Sequence, residues 1–106
     1  TKVDKDVNGN THYVDFERIR KHDGYVYFWY LIDILKPNSS GDLSTKAYVQ
    51  VDCKLFRNKD LSVFFHKEPM GGDTGEYVPI PKKYQGWRYP SPDSIIETVL
   101  KSVCSR

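Results

Sequence analysis

A chain of 106 residues has the length of one small domain, and its 39% hydrophobic and 14% aromatic content excludes a disordered protein. The net charge of +2 comes from 16 basic and 14 acidic residues mixed along the chain, so no nucleic-acid partner is expected. The longest apolar run, residues 25–35, is interrupted by Asp33 and is too short to span a bilayer. We therefore expect a single domain over residues 1–106.

The two cysteines, Cys53 and Cys104, allow only one pairing. Two free thiols, as in a cytosolic protein, are the alternative. A chain this short buries only about two thirds of its unfolded surface and gains much from a cross-link. Both cysteines also fall at inward-facing positions of the elements predicted below. We therefore predict a Cys53–Cys104 disulfide, which implies an oxidising compartment.

A hairpin and a long strand are predicted in the first part of the chain. Asn8-Gly9 lies between two strand-like runs, residues 3–7 and 10–14, and this dipeptide is the strongest short-range signal for a hairpin. Asp23-Gly24 marks a second turn. Residues 25–36 follow it and are largely apolar on both faces, which predicts a central strand that is covered on both sides.

Two further strands are predicted in the middle of the chain. Residues 45–56 alternate between apolar and polar side chains, which is typical of a half-buried strand and directs Cys53 and Leu55 inward. Residues 57–59 are predicted to form a turn. Residues 60–67 are predicted as the next strand, with one side made of Leu61, Val63 and Phe65.

Residues 68–89 are rich in Gly and Pro and are predicted to form a long loop, a feature that is often functional in a compact domain. Residues 71–75 lack the strand-to-helix context and the Lys of a phosphate-binding loop, so we interpret them as a flexible turn. The end of the loop combines the residue types that dominate protein-binding hot spots, and its candidate partner-binding residues are Lys82, Lys83, Tyr84, Trp87, Arg88 and Tyr89. The alternative is that Trp87 and Tyr89 fold back and cover one end of the sheet.

An amphipathic helix is predicted at the C-terminus. Ser91 is the predicted N-cap and Pro92 the first helical residue. Apolar residues then recur at helical spacing at positions 95, 96, 99, 100 and 103, and Cys104 follows them. The predicted fold class is therefore α+β, with an antiparallel sheet of about six strands and one C-terminal helix packed on it through the disulfide. One helix cannot cover both sides of a sheet, so the long loop, the first hairpin or the second subunit of a homodimer must cover the other side.

No arrangement typical of an enzyme or a metal site is found. His12, His22 and His66 lie in different predicted elements and in no ligand motif, so we interpret them as surface or edge residues. No Ser lies in a G-x-S-x-G motif. The alternating Asp and Asn residues at positions 4 to 10 lack the closing Glu of a calcium loop. We therefore predict a protein that is not an enzyme and that uses no metal or cofactor.

Several short segments, taken in order, carry a family resemblance. They are THYVD at residues 11–15 with Ile19, WYLID at 29–33, VDC at 51–53, PMG at 69–71, and Ile95, VLK at 99–101 and VC at 103–104. Their order and spacing resemble the surface-adhesin protein E-like family of bacteria over residues 11–104. The resemblance implies a six-stranded antiparallel sheet with a C-terminal helix and a Cys53–Cys104 bridge. It also implies export to the periplasm or the outer membrane, often as a lipoprotein.

The same resemblance implies adhesion, because the family's named member binds host extracellular-matrix and serum proteins such as vitronectin and laminin. The sequence begins at Thr1 rather than at Met, so we expect a mature or trimmed form in which a lipid anchor would lie on a preceding segment. We expect an exported, non-catalytic, adhesin-like module that binds a protein through residues 68–89, an open sheet edge or both. A periplasmic small-ligand-binding protein with an aromatic pocket is the alternative.

Overall fold

Seven antiparallel strands form one sheet, and a helix packs on one side of it. The computed structural model describes all residues, 1–106. The elements are β1 (Lys2–Lys5), β2 (Thr11–Val14), β3 (Arg20–His22), β4 (Tyr25–Asp33), β5 (Ser44–Asp52), β6 (Arg57–His66), β7 (Glu76–Val78) and α1 (Ile95–Cys104). The strand order is β1-β2-β4-β5-β6-β7, and β3 pairs with the part of β4 that β2 leaves free. The α+β class is confirmed, with one strand more than the approximate six.

The two sides of the sheet differ in what covers them. On the side that faces α1, called the helix side, Val26 and Phe28 of β4 lie opposite Val51 and Val49 of β5. A cluster of eight buried apolar residues forms there, made of Val14, Val26, Phe28, Val49, Val51, Val99, Leu100 and Val103. The opposite side, called the open side, carries half-buried aromatic residues of the same strands.

Strand β5 ends earlier than its alternating pattern indicated. The carboxylate of Asp52 accepts hydrogen bonds from the backbone N–H groups of Lys54 and Leu55, at 3.1 and 3.2 Å, and this turns the chain. Cys53 therefore lies in the turn after β5, and Leu55 is 52% exposed. The predictions of an inward-facing Leu55 and of a turn at residues 57–59 are wrong, because the turn lies at residues 53–56 and β6 already begins at Arg57.

A β-bulge changes which residues of β6 face the helix side. Ser62 lies opposite Tyr48, and Asp60 lies opposite Val49, so Leu61 is an extra residue in the ladder. Leu61 is exposed, whereas Val63 is half-buried. The prediction that Leu61 shares one side with Val63 and Phe65 is therefore wrong.

Helix α1 begins three residues later than predicted. Its N-cap is Ser94, whose Oγ accepts a hydrogen bond from the N–H of Glu97 at 3.2 Å, so the prediction of Ser91 as the N-cap is wrong. The spacing of the apolar face is confirmed, because Val99, Leu100 and Val103 are fully buried. The predicted disulfide is also confirmed, and it joins Cys104 at the end of α1 to Cys53 in the turn after β5.

The predicted long loop contains more regular structure than expected. It includes β7, which pairs with residues 63–65 of β6, and two short 3-10 turns, Pro69–Gly71 and Lys82–Tyr84. The first of these turns covers one end of the open side, because the N–H of Met70 donates to Asp33 at 2.8 Å and that of Gly71 donates to Ser44 Oγ at 2.9 Å.

The sole α-helix of the structure lacks the length and apolar character needed to cross a membrane.

Candidate binding site

A groove lies on the helix side because the helix is shorter than the strands beneath it. Helix α1 has 10 residues and is therefore about 15 Å long. Strands β5 and β6 have 9 and 10 residues and span about 30 Å. The helix covers only part of this side, and the remainder is the base of a groove of about 570 Å³, which we call the main groove.

The main groove has an apolar base and polar ends. The start of α1 and the segment that precedes it form one wall, through Tyr89, Pro90, Ser91, Ile95 and Ile96. The sheet supplies the base through Tyr30, Ile32, Thr45, Ala47, Val49, Val63 and Phe65. Charged and hydrogen-bonding groups lie around these residues, and they are Asp6, His12, Asn58, Asp60 and Arg88.

A smaller depression of about 250 Å³ adjoins the main groove, and we call it the side pocket. It lies beneath the segment that follows β7 and is lined by Val78, Pro79, Ile80, Pro81 and Tyr84. The side pocket and the main groove have four lining residues in common, which are Asp60, Val63, Phe65 and Arg88. The two depressions therefore form one continuous surface.

Arg88 lies where the two depressions meet, and both its backbone and its side chain hold it there. Its N–H and C=O exchange hydrogen bonds with Asn58 of β6, at 2.8 and 2.9 Å. Its guanidinium donates to Asp60 at 2.9 Å. The segment around Arg88 therefore extends the sheet beside β6 at the rim of the groove, although no regular strand forms there.

Three of the six residues predicted to bind a partner lie on this surface. Tyr89 lines the main groove, Tyr84 lines the side pocket and Arg88 lines both. Tyr84 and Tyr89 are 48% and 66% exposed. Lys82 and Lys83 are exposed but line neither depression, and the Nζ of Lys83 lies 5.0 Å from the ring centre of Tyr84.

Trp87 lies on the other side of the sheet. Its ring stacks on Tyr25 with 5.7 Å between the ring centres. The charged groups of Arg57 and Lys59 lie over the same ring, at 4.5 and 4.6 Å. The alternative interpretation, that these aromatic residues fold back on the sheet, therefore applies to Trp87 and not to the exposed Tyr89.

A hydrogen-bonded chain of Asp6, His12 and Tyr30 lies at one end of the main groove. The Nε2 of His12 lies 2.9 Å from the carboxylate of Asp6, and its Nδ1 is hydrogen-bonded to the hydroxyl of Tyr30. The hydrogen bond with His12 holds the pKa of Asp6 below its ordinary value, although burial opposes this. Burial, assisted by the carboxylates of Asp6 and Asp60, raises the pKa of Tyr30. The neutral phenol of Tyr30 is therefore favoured, and its hydroxyl is available as a hydrogen-bonding group.

Two of the three histidines that we interpreted as surface or edge residues are buried, so that interpretation is wrong for His12 and His66. His12 lies two residues before Val14 on β2, and both side chains are directed to the helix side. This spacing to an apolar strand residue is the sequence signal that could have located His12 in the groove. No group of three or more His, Cys, Asp and Glu side chains is arranged to hold a metal ion.

Comparison with known families identifies the class of the protein. The model of a family described as surface-adhesin protein E matches residues 1–105. The chain belongs to the surface-adhesin protein E family. The resemblance seen in the sequence is thereby confirmed, and membership supports an adhesin-like, surface or exported protein with a role other than catalysis. Among curated proteins, none matches the chain.

Solved structures of this family share the fold. A structure of Haemophilus influenzae protein E is 19% identical, with 98% of this chain and 82% of that chain covered and a TM-score of 0.71. A second crystal form of that protein is 19% identical, with 94% and 82% covered and a TM-score of 0.70. Protein E from non-typeable H. influenzae is 18% identical, with 97% and 73% covered and a TM-score of 0.70. At these identities the likeness concerns the fold alone.

Proposed function

We propose that this protein is an exported adhesin-like module that binds an extended segment of a partner protein in the main groove and the side pocket. One observation carries the proposal: three residues expected to bind a partner, Tyr84, Arg88 and Tyr89, line two adjoining depressions. Tyr84 and Tyr89 present exposed side chains, 48% and 66% of whose surface is accessible. Large exposed aromatic residues beside an apolar depression are the usual centre of a protein-binding hot spot.

The chemistry of the surface suits a peptide segment with apolar side chains. Side chains that enter the main groove would leave water and contact Ile32, Val63 and Phe65, which stabilises the complex by about 25 cal/mol for each Å² of apolar surface buried. The side pocket is smaller and suits a single side chain. The Tyr30 hydroxyl and the Arg88 guanidinium then offer hydrogen bonds to the main chain of the partner.

The proposed partner is a host extracellular-matrix or serum protein, as the family resemblance implies. We place the protein in the periplasm or at the outer membrane, where the Cys53–Cys104 disulfide persists. Anchoring to that membrane would be the role of a lipid on a preceding segment.

The proposal is tested by measuring binding to immobilised vitronectin and laminin. Tyr89→Ala and Tyr84→Ala should each weaken binding by about tenfold. Ala47→Phe should have the same effect, because it fills the base of the main groove without removing an exposed side chain. Tyr77→Ala is the matched control, since Tyr77 is similarly exposed but belongs to β7 and lines neither depression. Unchanged binding by all three variants, or an equal loss in the control, would contradict the proposal.

A second candidate function is that of a small-ligand carrier. The volume of the main groove, about 570 Å³, favours it, because small-molecule sites are typically about 300–1,000 Å³. Native mass spectrometry of protein purified from its natural source would then show a bound small molecule. That molecule would be absent from Ala47→Phe and retained by Tyr77→Ala.

A further inference from the structure

We propose that the open side of the sheet binds a linear sulfated polysaccharide, at a site separate from the main groove. The site combines cations that have no acidic partners with hydrogen-bonding side chains and a set of packed aromatic rings. It lies on the side of the sheet opposite to the groove, so it does not depend on the function proposed for the groove.

One row of side chains crosses four strands on this side. Arg20 of β3 lies opposite Tyr27 of β4, Tyr27 lies opposite Gln50 of β5, and Gln50 lies opposite Lys59 of β6. Directly opposed residues project from the same side of an antiparallel sheet. Arg20 and Lys59 are therefore about 14 Å apart, three strand spacings, with two polar side chains between them. The Nε2 of Gln50 donates to the Tyr27 hydroxyl at 3.1 Å, so these two side chains hold each other in place.

Three cations on this side of the sheet have no ion-pair partner. Arg57 is paired with Asp52 at 3.0 Å. Arg20, Lys46 and Lys59 have no carboxylate within ion-pair distance. Lys46 lies four residues along β5 from the row, which is about 14 Å. Cations spread over such distances can all be used by an extended polyanion, whereas one small anion reaches only one of them.

Lys59 is held in position before any ligand binds. Its Nζ lies 4.6 Å from the ring centre of Trp87, which in turn stacks on Tyr25. An ammonium group that is already ordered loses less conformational entropy when it pairs with a ligand. Arg20 complements it, because a guanidinium forms two parallel hydrogen bonds to an oxyanion such as a sulfate group.

Packed aromatic rings fill the area between the cations. The ring of Trp29 lies 4.9 Å from that of Tyr48 and 6.2 Å from that of Phe64, and Tyr48 lies 6.1 Å from Tyr27. Single-stranded nucleic acids bind by stacking their bases on free ring faces. Here the rings pack against one another, which leaves fewer free ring faces for stacking. The row across the strands supplies cationic, amide and hydroxyl groups to a ligand. These groups match the sulfates and hydroxyls of a polysaccharide better than they match nucleobases.

The test is a titration of the intact protein with a heparin oligosaccharide at low and at physiological ionic strength. The protein should bind, and salt should weaken the binding because bound counterions are released. Gln50→Glu changes the shape little and places a negative charge in the centre of the row, so it should lower the affinity by about tenfold or more. Arg20→Gln with Lys59→Gln should lower the affinity by a similar factor and should reduce the salt dependence.

The matched control is Lys21→Gln with Lys101→Gln. It removes the same charge, but Lys21 lies opposite Val26 on the helix side and Lys101 lies on α1. This control should keep its affinity within about twofold. The chemically desulfated oligosaccharide should not bind.

Three results would overturn the proposal. One is an equal loss of affinity in the control, which would show a response to net charge alone. Another is undiminished binding by both open-side variants. The third is single-stranded DNA that binds as tightly as the heparin oligosaccharide and that no longer binds to the same variants. Thermal unfolding identifies any variant that fails to fold. If Gln50→Glu does not fold, the proposal is judged on the double variant Arg20→Gln with Lys59→Gln.

Discussion

The Nδ1 of His66 lies 2.9 Å from the carboxylate of Asp73, and this contact ties the segment before β7 to the end of β6. His66 is 2% exposed. Burial opposes ionisation of Asp73, but hydrogen bonds from the N–H of Lys67 and from His66 outweigh it and hold the pKa of Asp73 below its ordinary value. Ionised Asp73 therefore stabilises the folded protein.

The lowered pKa of Asp73 predicts how the stability of Asp73→Asn, relative to that of the parent protein, changes with pH. A carboxyl group whose pKa is lower in the folded state stabilises the fold above its ordinary pKa of about 3.9, and this contribution is lost as the pH falls through the lower folded value. Asp73→Asn should thus have a lower Tm than the parent at pH 7, and the difference should shrink below about pH 4. Thermal unfolding from pH 7 to pH 2 measures this. Asp93→Asn, at an exposed turn residue, controls for the loss of charge, and a difference that does not change with pH would contradict the prediction.

The disulfide is predicted to supply a large share of the stability. Cys53 and Cys104 are 51 residues apart, so in the chain-entropy model the cross-link is worth about 4 kcal/mol. The double variant Cys53→Ser with Cys104→Ser should lose about this free energy of unfolding in urea titrations. The reduced parent should behave like the double variant. A loss below about 1 kcal/mol would mean that the cross-link does little to constrain the unfolded chain.

The N-cap of α1 can be tested with two serine variants. Ser94→Ala removes the Oγ that accepts the N–H of Glu97, and should cost about 1 kcal/mol. Ser91→Ala should change the stability by less than about 0.5 kcal/mol, because Ser91 contributes only its carbonyl to Ser94. Chemical denaturation of both variants distinguishes the two positions. A larger cost at Ser91 would restore the N-cap expected from the sequence.

Gly75 and Gly24 form a matched pair. Both have positive φ angles, +81° and +83°, so an Ala at either position strains the backbone by about 1–2 kcal/mol. An added Cβ at Gly75 would also meet the ring of His66, whereas at Gly24 nothing lies within 4 Å. Gly75→Ala should therefore destabilise the protein by about 1–3 kcal/mol more than Gly24→Ala in urea titrations. Equal losses of unfolding free energy in the two variants would show that the segment before β7 moves away from His66 at little energetic cost.

The fold class was predictable because its signals are local. Two of these signals act within one element, namely the alternation along β5 and the helical spacing of Val99, Leu100 and Val103. The third is the single pair of cysteines, which allows only one disulfide. Leu55 and Leu61 were mispredicted because alternation carries no information about a turn closed by the Asp52 side chain or about an extra residue in a ladder. Such features depend on hydrogen bonds that the hydrophobic pattern does not encode.

The candidate site was predictable only in part. The residue types at positions 82–89 indicated a binding segment, but the sequence does not show that Trp87 and Arg88 lie on opposite sides of the sheet. That division follows from the pairing of Arg88 with Asn58, which is 30 residues earlier in the chain. The main groove is equally non-local, since it results from the length of α1 relative to that of β5 and β6.

The outer strands of the sheet limit how the protein can associate with copies of itself. Strand β1 shifts register between Lys2 and Asp4, β3 has only three residues, and β7 has three residues followed by Pro79. A sheet recruits further chains through long, flat outer strands with free main-chain groups, and irregular, charged or very short strands prevent this. Many copies can therefore be crowded together without growing into fibrils.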